Sequence, residues 1–123
     1  MTRSKARRPG AGSNAVRGII AGGNHYDGSA SVGQQVIEFI TLATLGNALD
    51  FGDLQNVDTE ATTGCSSPTR AVFFTSPTDT GTQTNTLSYV QIMTTGNAID
   101  FGDSTTNNRW VKGGTSNGHG GLG

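Results

Sequence analysis

Charge, cysteine and long apolar runs are all scarce in this chain. Charged residues make up 14% of the 123 positions and apolar residues 33%, both below the usual share for a globular domain. With a single cysteine, Cys65, an intrachain disulfide framework is excluded, which fits assembly in a reducing compartment. No apolar run approaches the ~18 residues of a membrane span. The basic N-terminal stretch is not followed by the apolar segment of a secretory signal. No Asn-x-Ser/Thr acceptor for glycosylation occurs. At 123 residues the chain holds one domain at most.

What is abundant is Gly, with 19 residues, together with Thr, Ser and Asn. This mixture suits short strands joined by tight turns and suits long helices poorly. The net charge of −1 is unevenly spread: Arg3, Lys5, Arg7 and Arg8 are half of all the basic residues. From Pro9 onward, four basic and nine acidic residues leave a body near −5. The sequence therefore reads as an acidic β-type body with a basic arm.

The body is organised by a repeat. Gly46 to Asp53 reads GNALDFGD and returns fifty residues later as GNAIDFGD, Gly96 to Asp103. Upstream, SNAVRGII from Ser13 corresponds to SSPTRAVF from Ser66, and the same step starts again at Ser116 as SNGHGGL. The expected organisation is a basic arm over 1–12, a first unit over 13–65, a second over 66–115, and a stub of a third over 116–123, poised for strand exchange. The first unit is three residues longer, with the insertion in Gly22 to Gln34; that stretch and its counterpart Ser76 to Gln83 are polar, Gly-containing and expected to be loops.

Each unit holds four strand candidates: Gly18 to Ala21 with Ala71 to Thr75; Val36 to Leu42 with Thr86 to Ile92; Ala48 to Phe51 with Ala98 to Phe101; and Thr59 to Thr63 with Arg109 to Lys112. In the second strand Ile37 and Phe39 lie on one face and Ile40 and Leu42 on the other; Leu87 and Tyr89, then Val90 and Ile92, repeat this. A strand that is apolar on both faces needs cover on both. About fifty residues and four short strands per unit match a kelch-type propeller blade. Two units cannot close a ring of 4–8 blades and would leave an apolar face open at each end. The expectation is an all-β chain closing into a six-bladed propeller by homotrimerisation, with four blades from two chains or eight from four as alternatives.

Candidate chemistry is sparse. Asp-Phe-Gly occurs twice, but without the lysine and catalytic loop of a kinase. Asp50 with Asp53, and Asp100 with Asp103, form an Asp-x-x-Asp pair per unit that could ligate Ca²⁺, although Asp beside Gly is also a common turn former; the turn reading is the expectation. Phe51 and Phe101, between the aspartates, are expected in the core. His25 and His119 do not make a metal signature, and Cys65 has no partner motif. Exposed aromatics offer amphipathic area to sugars; Trp110 and Tyr26 are the candidates for glycan contact, with core packing the alternative for Trp110. No acid–base or nucleophile constellation emerges, so an enzyme, such as a fragment of a propeller hydrolase, is not expected. Nor is any cofactor.

The segments GNALDFGDL and GNAIDFGDS, preceded by QQVIEFITLATL and NTLSYVQIMTT and followed by SSPTRAVFF or SNGHGGLG, resemble the repeats of marine bacteriophage virion proteins. The resemblance covers Ser13 to Gly123. Family members carry many units where this chain has two, and the Gly-Gly present at Gly22-Gly23 is Thr75-Ser76 in the second unit. The resemblance implies a kelch-like, non-catalytic virion component: a tail-fibre or tail-tip module, or a capsid decoration protein, assembled in the host cytoplasm. The expected partners are other copies of the chain, other virion proteins through Arg3, Lys5, Arg7 and Arg8, and host-surface glycans. Membrane is not expected, and four cations over six residues are too few to expect nucleic acid. A free glycan-binding propeller lectin is the alternative function.

Overall fold

The computed structural model describes residues 10–55, 63–75 and 84–108, together with Gly114. Their regular structure is entirely β. The strands are β1 (Gly10–Ser13), β2 (Arg17–Ala21), β3 (Asn24–Tyr26), β4 (Ser31–Gly33), β5 (Val36–Thr41), β6 (Leu49–Asp53), β7 (Thr63–Ser66), β8 (Arg70–Phe74), β9 (Thr84–Gln91) and β10 (Ile99–Asn108). They form two four-stranded antiparallel sheets, β1-β2-β5-β6 and β7-β8-β9-β10, and a separate hairpin, β3-β4. Each large sheet is one sequence repeat, laid out as a meander.

The strands that periodicity could read, β2, β5 and β6 with β8, β9 and β10, lie where the apolar alternation places them. The outermost strand of each sheet does not. Gly10 to Gly12, expected in the basic arm, belong to β1; Thr63 to Cys65, expected to close the first unit, belong to β7 and pair in the second sheet. Thus each unit begins one strand earlier than the repeat suggested. The remainder of the predicted fourth strands, 59–62 and 109–112, lies outside the described residues, as do the arm cations Arg3, Lys5, Arg7 and Arg8. The reason for the shift is compositional. GAGS and TGCS carry no apolar alternation, yet their backbones satisfy the exposed ladder groups of β2 and β8.

A repeated β-bulge explains why Asp-Phe-Gly recurs. Asp50 pairs with Glu38 and Gly52 with Ile37, so Phe51 is the extra residue; likewise Asp100 pairs with Ser88 and Gly102 with Leu87, leaving Phe101 extra. Gly52 and Gly102 have φ of 148° and 131°, a region that only glycine enters easily, and a bulge re-aims the side chain beside it. Phe51 thereby turns inward onto Phe39, ring centroids 6.0 Å apart at 80°.

The two sheets stack with unlike faces together. The first sheet contributes Ile19, Ala21, Ile37, Phe39, Phe51 and Leu54; the second contributes Ala71, Phe73, Val90, Ile92 and Ala98, with buried Ser88 donating to Gln55 Oε1 at 2.9 Å. By repeat position these are not equivalent sets. Ile37 and Phe39 correspond to Leu87 and Tyr89, which lie on the far side of the second sheet. Close approach of β1 to β8 needs small residues: a Cβ on Gly12 would sit 2.6 Å from that of Ala71.

The Gly22 to Gln34 stretch, expected as a loop, contains the β3-β4 hairpin. Asp27 makes its turn, with Oδ1 accepting from Ser29 N and Ala30 N, both at 2.8 Å, while Gly28 takes φ 100°. Such local side-chain bonds build a turn where alternation is absent. The Ala30 and then the Ser29 amide bonds hold the Asp27 carboxyl below its ordinary 3.8.

Two outcomes follow from this packing. Phe73→Ala, which empties a fully buried position, is expected to cost about 3–5 kcal/mol in denaturant unfolding, whereas Leu45→Ala at a fully exposed one should change stability by less than ~0.5 kcal/mol. Because the Asp27 pKa is lowered on folding, its contribution to the hairpin is complete above the unfolded value and is lost as pH falls through the lower folded one. Protonation of Asp27 followed by NMR should occur below pH 3.8, with the Ser29 and Ala30 amide resonances moving in step.

Candidate assembly surfaces

Among the described residues, the stacking buries one face of each sheet and leaves the other face at least partly accessible. On the first sheet the open face carries Gly18, Ile20, Glu38, Ile40 and Leu42, which occupy the repeat positions of the buried Ala71, Phe73, Ser88, Val90 and Ile92. On the second sheet it carries the half-buried Val72, Phe74, Leu87 and Tyr89 and the exposed Phe101, at the positions of the buried Ile19, Ala21, Ile37, Phe39 and Phe51. The contrast within one motif is large: Phe51 is 3% exposed and Phe101 49%. The expectation that both phenylalanines are core therefore holds for Phe51 alone, because among the described residues no sheet covers Phe101. Leu42 is half-exposed where its counterpart Ile92 is sealed.

The open face of the second sheet keeps the internal geometry of the covered one. Tyr89 and Phe101 meet edge to face, centroids 6.0 Å apart at 74°, as Phe39 and Phe51 do. Arg17 Cζ lies 4.4 Å above the Phe39 ring and Arg70 Cζ 5.2 Å above that of Tyr89, a favourable arrangement for a cation. Arg17 also reaches across the joint, Nη1 donating to Ile92 O at 3.2 Å.

At the other end of the strands, the second Gly-Asn-Ala clamps the first Phe-Gly-Asp. Gly96 N donates to Phe51 O and Ala98 N to Asp53 O, both at 2.8 Å, and Asp53 N donates to Asn97 Oδ1 at 3.1 Å. A side chain on Gly52 would run into Gly96 O, so the glycine permits the contact as well as the bulge. Each bond contributes about 0.5–1.5 kcal/mol net. Among the described residues this clamp has no second copy: Gly46-Asn47-Ala48 and Phe101-Gly102-Asp103 each present one half of it, and a Cβ at Gly46 or Gly102 would meet nothing within 4 Å.

The chemical candidates are dispersed around this frame. Asp50 and Asp100 are exposed, and Asp100 Oδ1 accepts from Gly102 N at 3.0 Å, a local bond supporting the bulge. Asp53 and Asp103 lie in the same two strands. The four aspartates thus belong to strands and bulges rather than to the turns expected of them, and no metal-holding group forms among the described residues. Tyr26 is 55% exposed on the hairpin; Trp110 lies outside the described residues. His25 is exposed with Nδ1 at 2.5 Å from Gln34 Nε2, and His119 is not described. Cys65 is a half-buried free thiol in β7. An open groove of about 410 Å³ over Ala11, Gly18, Ile20, Ile40 and Gly114 has no ionisable side chain in its lining. The sequence reading missed Asn97 and Arg17 as joint residues; the signal was that Asn and Arg stand at the same place in both units.

Asn97→Ala, which removes the acceptor for Asp53 N, should cost about 0.5–1.5 kcal/mol in denaturant unfolding. Asn47→Ala, at the same repeat position without that partner, should leave the unfolding free energy of the single chain within ~0.5 kcal/mol. No family model matches the chain, and no curated protein matches its sequence.

Proposed function

We propose that the chain is a non-catalytic structural component of a marine bacteriophage particle, a tail-fibre or tail-tip module or a capsid decoration protein, that works by assembling with copies of itself. The observation that carries this reading is the burial pattern: among the described residues one pair of faces is buried, while the other pair leaves the apolar Ile20, Ile40, Leu42 and Phe101 exposed. Four-stranded antiparallel meanders stacked face to face are the arrangement of propeller blades, and repeat units are stabilised by burial against neighbours. Three chains would supply six blades. The resemblance of both GNAxDFGD segments to phage virion repeats supports the particle setting. Within it, the basic arm with Arg3, Lys5, Arg7 and Arg8 would anchor the chain to an acidic surface of other virion proteins.

Quantitative mass spectrometry of purified particles, with antibody labelling in the electron microscope, tests the reading. The chain should co-purify with particles and label either the capsid shell or the tail. Its absence from particles while abundant in the infected cell would overturn the proposal.

A glycan-binding role is the second reading, favoured by one observation, the exposed Tyr26 ring on the β3-β4 hairpin of the first unit. If it holds, binding to a glycan array should be lost in Tyr26→Ala or Trp110→Ala with stability unchanged; an array without hits removes it.

A further inference from the structure

Resting on the assembly reading above, we infer that a second copy of this chain docks head to tail, the open face of its first sheet on the open face of the second sheet, by repeating the joint inside the chain. The template is the joint between the two sheets of one chain. Inside the chain, the Phe39–Phe51 face receives Phe73, Val90 and Ile92; between chains, the Tyr89–Phe101 face receives Ile20, Ile40 and Leu42. The aromatic pair and its stacked arginine already stand in the receiving geometry. The clamp completes itself too: Gly46 N and Ala48 N of the incoming copy reach Phe101 O and Asp103 O, and Asn47 Oδ1 reaches Asp103 N. Arg70 then meets Leu42 O as Arg17 meets Ile92 O.

Size complementarity singles out a second copy over an unrelated apolar partner. At the internal joint Gly12 faces Ala71, with no room for one more carbon. The corresponding pair between chains is Cys65 and Gly18: the larger residue has moved to one side and the glycine to the other. One charge enters, Glu38 at the position of Ser88, opposite Thr105 at the position of Gln55, whose hydroxyl can donate to the carboxylate. One seat is already filled. Gly114 of the same chain packs on Gly64 O as Gly64 packs on Ala11 O, and an incoming Ala11 has a Cβ that does not fit there. The incoming copy therefore engages through β2, β5 and β6, and its β1 shifts or exchanges.

Two unlike faces make a heterologous joint, which closes into a ring or grows as a filament. Sedimentation velocity and native mass spectrometry of the full chain test it. Wild type should form species above monomer. Ile40→Asp and Phe101→Asp, each at a solvent-exposed site and each folded by circular dichroism, should be monomeric alone. Mixed in equal amounts they should pair once, into a one-to-one heterodimer, because each retains the face the other lost. Asn47→Ala should weaken association while its single-chain stability is unchanged. A monomeric wild type overturns the joint, as do single variants that still dimerise through one face or folded variants that fail to pair on mixing. The two proposals fail separately: an assembling chain missing from particles sinks the virion role and keeps the joint, whereas a monomer found in particles does the reverse.

Discussion

Everything in this molecule depends on the fact that its two sheets are stacked head to tail, so that unlike faces meet. A two-fold arrangement would bury the same residues twice and finish. Here the sheets meet at different repeat positions, Phe51 and Phe39 from one and Phe73 and Ile92 from the other. The alternation of a strand then puts apolar side chains on both faces of both sheets, and among the described residues one face of each sheet is buried. The clamp between Gly96-Asn97-Ala98 and Phe51-Gly52-Asp53 obeys the same rule, since its two halves lie in one motif but touch only across the step from one unit to the next.

Much of this was legible in the sequence. The doubled GNAxDFGD segment located two units, and alternation in β5 and β9 correctly placed apolar side chains on both faces. The edge strands β1 and β7 were not legible, because Gly, Ala and Ser carry no alternation and their places are set by a partner's ladder and by close backbone approach. Nor was the division of labour within the motif. Two segments that differ by one letter in eight make a buried joint at one copy and an exposed surface at the other, and packing against the neighbouring sheet distinguishes Phe51 from Phe101. The aspartates illustrate a third limit: their spacing suggested ligands or turns, while the ladder register makes Asp50 and Asp100 flanks of a bulge and pairs Asp53 with Val36 and Asp103 with Thr86.

The joint also separates two kinds of residue by what they tolerate. Gly52 meets both a backbone requirement, its φ of 148°, and a contact requirement, the approach of Gly96. Arg17 is held by an aromatic face and a carbonyl at once. Such doubly constrained positions explain why the motif is copied almost letter for letter, while the intervening segments drift in length.

The β3-β4 hairpin shows the other side of that economy. It is inserted between β2 and β5, neighbours in the first sheet, yet their pairing runs from Arg17 with Thr41 to Ala21 with Ile37 without a register shift. Its base is pinned by Gly22 N to Val36 O at 3.1 Å and Gln34 N to Gly23 O at 2.8 Å. Beyond those bonds, length and composition are insulated from the stack. The hairpin is thus a place where new sequence can be tried at little cost to the scaffold, in the way that a display loop varies over a constant frame.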